Sequence, residues 1–193
     1  MKKKIGHMAL AVCAAMLSLS SANAADDIQQ ASKDTIDAFK KADPSLKTFF
    51  DNSTGYAVFP DIGKGGFIVG GAHGKGLVYE TNKLIGRASM TQASIGAQAG
   101  GQTFAQIIFF ETPQVINDFK SNKFELGADA SAVAANQGVA ATARFRKGVA
   151  VFALPKKGLM AEAAVGGQRF KFEPLLEPTG RTESEPQPTQ PAK

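Results

Sequence analysis

The chain has 193 residues, 22 basic and 17 acidic side chains, 44% hydrophobic residues, 20 glycines, no tryptophan and a single cysteine. That length holds one well-buried domain and falls short of two of ordinary size. Cys13 is the sole thiol and His7 and His73 are the two imidazoles, and Cys13 and His7 fall in a leader expected to be removed, so a Cys-rich or multi-His zinc site, a Cys–His nucleophile pair and an internal disulfide are excluded for the mature chain.

Lys2, Lys3 and Lys4 precede an apolar stretch from Ile5 to Leu19 and then Ser-Ala-Asn-Ala-Ala. This is the charge, apolar length and small-residue end of a secretory signal. Ala22 and Ala24 supply the small side chains that cleavage needs, so residues 1–24 are expected to be removed. The mature chain is then expected in the periplasm or cell envelope, soluble or peripherally associated with a membrane. Acylation at Cys13 would want a small residue before it, and Val12 is too bulky. No later stretch offers ~18 consecutive apolar residues for a spanning helix. Residues 1–24 hold three lysines and no acid, so their loss leaves 19 bases against 17 acids and lowers the formal charge from +5 to +2. A concentrated basic footprint for nucleic acid is absent, and no nucleic-acid partner is expected.

In chain order, "DDIQQASKDTIDAFKKAD" sets Ile28, Ala31, Thr35, Ala38, Phe39 and Ala42 along one stripe, with acids in its first turn and Lys40-Lys41 in its last. The spacing predicts a polarised amphipathic helix. Asp43 caps a second short helix with Pro44 at its first position and Leu46, Phe49 and Phe50 on its apolar face. From Tyr56 the pattern changes to short β runs: "YAVFP", "FIVGGA", "GLVYE", "LIGRASM", "ASIGAQA" and "FAQIIFFE". Connections this short imply antiparallel hairpins. Thr112-Pro113 opens a helix to about Lys120, with Val115, Ile116 and Phe119 inward. "FELGADASAVAANQG" is a loop or an edge element, and "VAVFAL", "GLMAEAAV" and "QRFKFEPL" are closing strands, with Lys147-Gly148 and Lys156-Lys157-Gly158 as turns. Residues 177–193, proline-rich and without a large apolar side chain, are expected to be a disordered tail. The fold class expected is α+β: N-terminal helices on a twisted, Gly-rich antiparallel sheet that can curl into a partial barrel.

The segment "GKGGFIVGGAHGKG", Gly63 to Gly76, raises the question of a phosphate loop. Such a loop needs Gly, four residues, then Gly-Lys-Ser/Thr. Before Gly63-Lys64 and Gly74-Lys75 the first position holds Val58 and Val69, and Gly65 and Gly76 replace the hydroxyl residue, so both copies fail. The glycines are expected to serve hairpin turns and bulges. His73 is expected to be an exposed turn residue, Asp61 to fix a turn after Pro60, and Glu162 to face solvent on an edge strand.

"GYAVFP", "GKGGFIVGGAHGKG", "IGAQAGGQ" and "KGLMAEAAVGG", in that order and spacing, resemble the SYLF domain family from about Ala31 to Phe172. The resemblance implies a lipid-binding domain, assigned here to residues 25–176. Eukaryotic relatives associate with phosphoinositide membranes through a basic amphipathic N-terminal segment, and some engage actin. By position that segment is Ile28 to Phe50, with Lys33, Lys40, Lys41 and Lys47. The chain departs from the family pattern in having no Trp between Arg87 and Met90 and in holding Glu162 where Gly is usual.

Three other classes compete with lipid binding. An enzyme is not expected: there is no Gly-x-Ser-x-Gly elbow, no catalytic carboxylate pair with a motif around it, and no metal or cofactor site. An outer-membrane barrel is opposed by the missing Trp and by only Tyr56 and Tyr79 for aromatic girdles. A structural module binding an envelope protein stays open. The expected partner is an anionic phospholipid surface, contacted by Lys33, Lys40, Lys41 and Lys47, with Lys64 and Lys75 as a weaker second contact and Phe49 and Phe50 as inserting side chains. The alternative role of those two rings is in the core.

Overall fold

The structure, a computed structural model, describes residues 26–66, 69–95, 102–127, 131–157, 163–164 and 167–175. The expected signal, the tail, Phe67 and Ile68 of the expected strand "FIVGGA", Gly96 to Gly101 and Glu162 lie outside them. The class is α+β, as the sequence predicts. Helix α1 runs over 26–42, followed by a 3-10 turn at Pro44–Leu46 and helix α2 at Lys47–Asn52. The strands are β1 (Gly55–Gly66), β2 (Val69–Glu80), β3 (Lys83–Ile95), β4 (Gln102–Phe110), β5 (Ser131–Ala134), β6 (Val149–Lys157), β7 (Ala163–Ala164) and β8 (Gln168–Pro174), with helix α3 at Pro113–Lys120 before β5.

The strand order is β7-β5-β6-β4-β1-β2-β3-β8. Every pairing is antiparallel except β5 with β6, so the sheet is mixed where the sequence led us to expect it antiparallel throughout. The short connections make hairpins of β1 with β2 and of β2 with β3, but β4 pairs with β1 and β6 and not with β3, and β5 follows a helix and a long connection, which can return a strand in either direction. "FIVGGA" from Val69 and "GLVYE" form one strand, β2, and "LIGRASM" and the start of "ASIGAQA", Ala93 to Ile95, form another, β3.

Alternation along the central strands sends residues to two cores. Ala57 and Phe59 of β1, Phe104, Ile108 and Phe110 of β4, Val151 and Ala153 of β6 and Phe170 and Phe172 of β8 share an inner cluster with Ile116 and Phe119 of α3. Tyr56 and Val58, Ala105, Ile107 and Phe109, and Ala150 and Phe152 point the other way, into a cluster with Phe39, Leu46, Phe49 and Phe50. Both faces of β1 and β4 are therefore buried, which is why "YAVFP" and "FAQIIFFE" are nearly continuous apolar runs.

The sheet curls around the inner cluster. Gln106 of β4 and Gln168 of β8, on strands four places apart in the order, exchange two amide hydrogen bonds of 2.8 and 3.1 Å across the interior, both fully buried. The curl is helped by a bulge at Pro60-Asp61, where the register of β1 shifts against both β2 and β4. Proline cannot donate to a ladder, and a bulge removes that demand while bending the strand. Asp61 thus lies in a kinked strand, not a turn, and pairs with Lys156 at 2.7 Å.

The glycines of the opening motif are also within strands. Gly63, Gly65, Gly71, Gly74 and Gly76 all sit in ladder pairs, and none has positive φ. The reason for glycine at 74 and 76 is close approach: a Cβ on Gly76 would lie 2.4 Å from the Val58 carbonyl oxygen and 2.7 Å from the Phe59 ring, and one on Gly74 would lie 2.8 Å from Ile62. The expectation of turn glycines is corrected for this segment. It holds at Lys147-Gly148, a two-residue turn with φ of 52° and 78°, closed by two hydrogen bonds between Arg146 and Val149.

Candidate functional site

Two segments meet at the end of the sheet where β1 begins. The first is the junction of α1 and α2. Here Asp43, fully buried, caps the 3-10 turn through Ser45 and extends its carboxylate to a distant segment. Its Oδ1 accepts from the backbone N–H of Ser45 (3.0 Å) and of Gly138 (3.1 Å) and from the Ser45 hydroxyl (2.6 Å); its Oδ2 accepts from the N–H of Ala140 (2.7 Å). Burial pushes this carboxyl up, but the four hydrogen bonds outweigh it and hold the group below its ordinary value. The carboxylate clamps the α1–α2 junction to the 138–147 segment. Ring contact reinforces the clamp, with Phe49 and Phe145 centroids 5.1 Å apart.

The charge pattern changes at the clamp. Residues 26–39 hold Asp26, Asp27, Asp34 and Asp37 against Lys33. Residues 40–51 and 138–147 hold Lys40, Lys41, Lys47, Arg144, Arg146 and Lys147 against Asp43, which is buried, and Asp51, which pairs with Lys47. Lys40 is exposed with its Nζ 4.8 Å from the centre of the Phe50 ring, a cation–π contact. The result is a basic end and an acidic flank on one domain.

The eight residues expected to bind lipid do not form a single patch. Lys40, Lys41 and Lys47 are exposed around the clamp. Lys33 is exposed among the aspartates of α1. Lys64 lies nine residues along β1 from Gly55, about 30 Å at strand spacing, and Lys75 faces Asp61 across the β1–β2 ladder. Those two are at the opposite end of the sheet. Phe49 and Phe50, at 6% and 8% exposure, are packed against Phe109, Phe152 and Tyr56, the core role that the sequence left as their alternative. The stripe of α1 is also amended, since Ala38 is exposed and Ser32 takes a buried place. His73 is exposed as expected, but in β2, paired with Gly63 and Thr91.

The sequence reading missed Arg144, Arg146 and Lys147. The pattern Arg-Phe-Arg-Lys was the available signal, because alternation buries the ring and exposes both guanidinium groups. Beside these residues lies a cavity of about 460 Å³ between the 124–127 segment, the 142–147 turn and the start of β6. Among the described residues no group of three His, Cys, Asp or Glu side chains is placed to hold a metal, and no helix is long and apolar enough to cross a membrane.

Residues 91–174 match the family described as Ysc84, Las17-binding protein actin regulator. Over those residues the chain is similar to the Ysc84 (SYLF) family. The match agrees with the resemblance and covers the two later motifs that carried it, "IGAQAGGQ" and "KGLMAEAAVGG", and the matched residues contain every described residue that lines the cavity. A curated relative is Beta cell expansion factor A of Aeromonas veronii, 29% identical over 141 residues, which cover 72% of this chain and 53% of the relative. The chain thus spans about half the length of the curated relative it matches.

Proposed function

We propose that the domain is a non-enzymatic, exported module that binds anionic phospholipid surfaces reversibly through its basic end, Lys40, Lys41 and Lys47 with Arg144 and Arg146. The observation that supports this reading is the Asp43 clamp, which gathers the bases of two distant segments at one end while the aspartates stay on the flank of α1. A basic side chain near an anionic surface contributes ~1 kcal/mol and is screened within a Debye length. With Phe49 and Phe50 buried, attraction by four or five charges gives weak, salt-sensitive binding without deep insertion.

Liposome co-sedimentation of the mature chain checks this. Binding should rise with anionic lipid content and fall as salt shortens the Debye length from ~10 Å at 0.1 M to ~3 Å at 1 M. Lys40→Glu with Lys41→Glu should weaken it by more than about tenfold, the loss of two such contributions plus repulsion. Lys64→Glu with Lys75→Glu, at the far end, should change it little. A second reading, a protein-interaction module of the envelope, is favoured by the family description, which names a protein partner. Absence of sedimentation with every anionic vesicle at low salt would overturn the lipid reading, and crosslinking to one envelope protein would then establish the second.

A further inference from the structure

The cavity of about 460 Å³ lies where the curled sheet fails to close. On one side, the outer edge of β8 is hydrogen-bonded to the segment after α3: Leu126 N–H donates to the Gln168 carbonyl at 3.0 Å, Gly167 N–H donates to the Leu126 carbonyl at 2.8 Å, and Glu125 bridges Arg169. On the other side is β6, whose partner β5 pairs with it at Phe152 and Ala153. Val149 is bonded to Arg146 through both its backbone groups, so Ala150 and Val151 lie between that turn and the β5 pairing, with β4 on one side and the cavity on the other. The floor is apolar, from Phe124, Leu126, Val133, Val149, Val151 and Phe152.

The rim is cationic. Arg144, Arg146 and Lys147 are exposed along the 142–147 turn, and the carboxylate of Glu125, also at the cavity, lies 3.6 Å from Arg169. One guanidinium nitrogen of Arg144 is committed to the carbonyls of Ala141 and Ala143, which fixes the side chain at the rim. Arg146 makes no ion pair among the described residues. An apolar slot with guanidinium groups at its mouth is complementary to one kind of small molecule: an acyl chain ending in an anion.

We propose that this seam binds one long-chain fatty acid, its carboxylate held at the rim by Arg146 and Arg144 and its chain lying over the apolar floor beside β6. The volume, in the lower half of the range for small-molecule sites, suits one chain and not the two of a phospholipid. The stretch of β6 between its bonds to Arg146 and its pairing with β5 is two residues, Ala150 and Val151, shorter than the five or six of an ordinary strand, so an added peptide strand would find little to pair with. This goes beyond membrane association, since it concerns a monomeric ligand in a cavity and needs no bilayer.

Calorimetric titration of the full mature chain with palmitate below its micelle concentration, in the absence of vesicles, is the test. We expect saturable binding of one palmitate per chain, about tenfold weaker for each two methylenes removed along the series to myristate and laurate. Arg146→Gln should weaken it by about tenfold or more, with Arg146→Lys between the two, and uncharged palmityl alcohol should bind correspondingly worse. Ala143→Trp and, from the opposite wall, Val133→Phe should each block binding by filling the slot while the thermal midpoint and vesicle sedimentation are kept. Failure of the membrane reading would instead remove sedimentation and leave the palmitate titration intact. No saturable uptake, equal affinity for palmityl alcohol and palmitate, or uptake that survives both filled variants would overturn the proposal; capture of an extended peptide with no palmitate uptake would replace it with strand addition.

Discussion

Asp43 does the work of three interactions with one side chain: a cap for the 3-10 turn, a link between segments ninety-odd residues apart and an anion inside a basic end. An N–H donating to a buried carboxylate is stronger than a neutral hydrogen bond, and removing the acceptor leaves the donors buried and unpaired. Asn at this position keeps one oxygen but turns an NH₂ group toward an N–H that needs an acceptor. Asp43→Asn should therefore cost about 3 kcal/mol in urea unfolding. Because the native carboxyl sits below its unfolded value of 3.8, the proton binds the unfolded chain first. The carboxylate's contribution is complete above that value and is lost as pH falls through the native one. The gap between wild type and variant should be widest near neutrality and should close in acid. A gap that is independent of pH down to the acid limb would show that the charge of Asp43 contributes nothing.

At the scale of elements, helices were the most legible parts. Thr112-Pro113 and Asp43-Pro44 carry their start signals locally, and α3 and the 3-10 turn begin at the proline that the sequence marks. The strands were legible as apolar runs bounded by turn residues, but what each glycine does was not. Gly63 and Gly76 belong to the same motif. A Cβ on Gly63 meets nothing within 4 Å, whereas one on Gly76 meets the Val58 carbonyl and the Phe59 ring. The difference arises from the bulge at Pro60 and from which face of β2 turns inward, and neither is a property of the local sequence. Gly76→Ala should lose about 1–3 kcal/mol through overpacking. Gly63→Ala should stay within about 0.5 kcal/mol of wild type. Equal effects of the two substitutions in parallel thermal melts would contradict the packing account. The candidate site was half legible for the same reason: lysines near α1 could be read in order, but the approach of Arg144 and Arg146 depends on a hydrogen-bonded contact made across the fold.

For the whole molecule, the consequence of curling without closing is an interior that must be held from wall to wall by side chains. Helices α1 and α2 cover the outer face of β1, β4 and β6, α3 fills the inner cluster at one end, and the seam beside β6 stays open. Gln106 and Gln168 cross the interior between these walls with a reciprocal pair of amide bonds. Each amide is satisfied by the other, so the pair adds little net stability over an apolar pair of similar shape, but it fixes which position of β8 faces which position of β4. Replacing one partner is a different matter, because the other is then stranded in a region without water. Gln106→Leu alone should cost about 1–3 kcal/mol, as should Gln168→Leu, while the double variant should recover most of that loss. The double variant should also loosen the placement of β8, seen as faster amide exchange at Phe170 and Phe172 than at Ile107 and Ile108 on the central strand. Additive losses in the cycle would mean that the two glutamines are not coupled and that the opposite walls of the curled sheet are held by the rings alone.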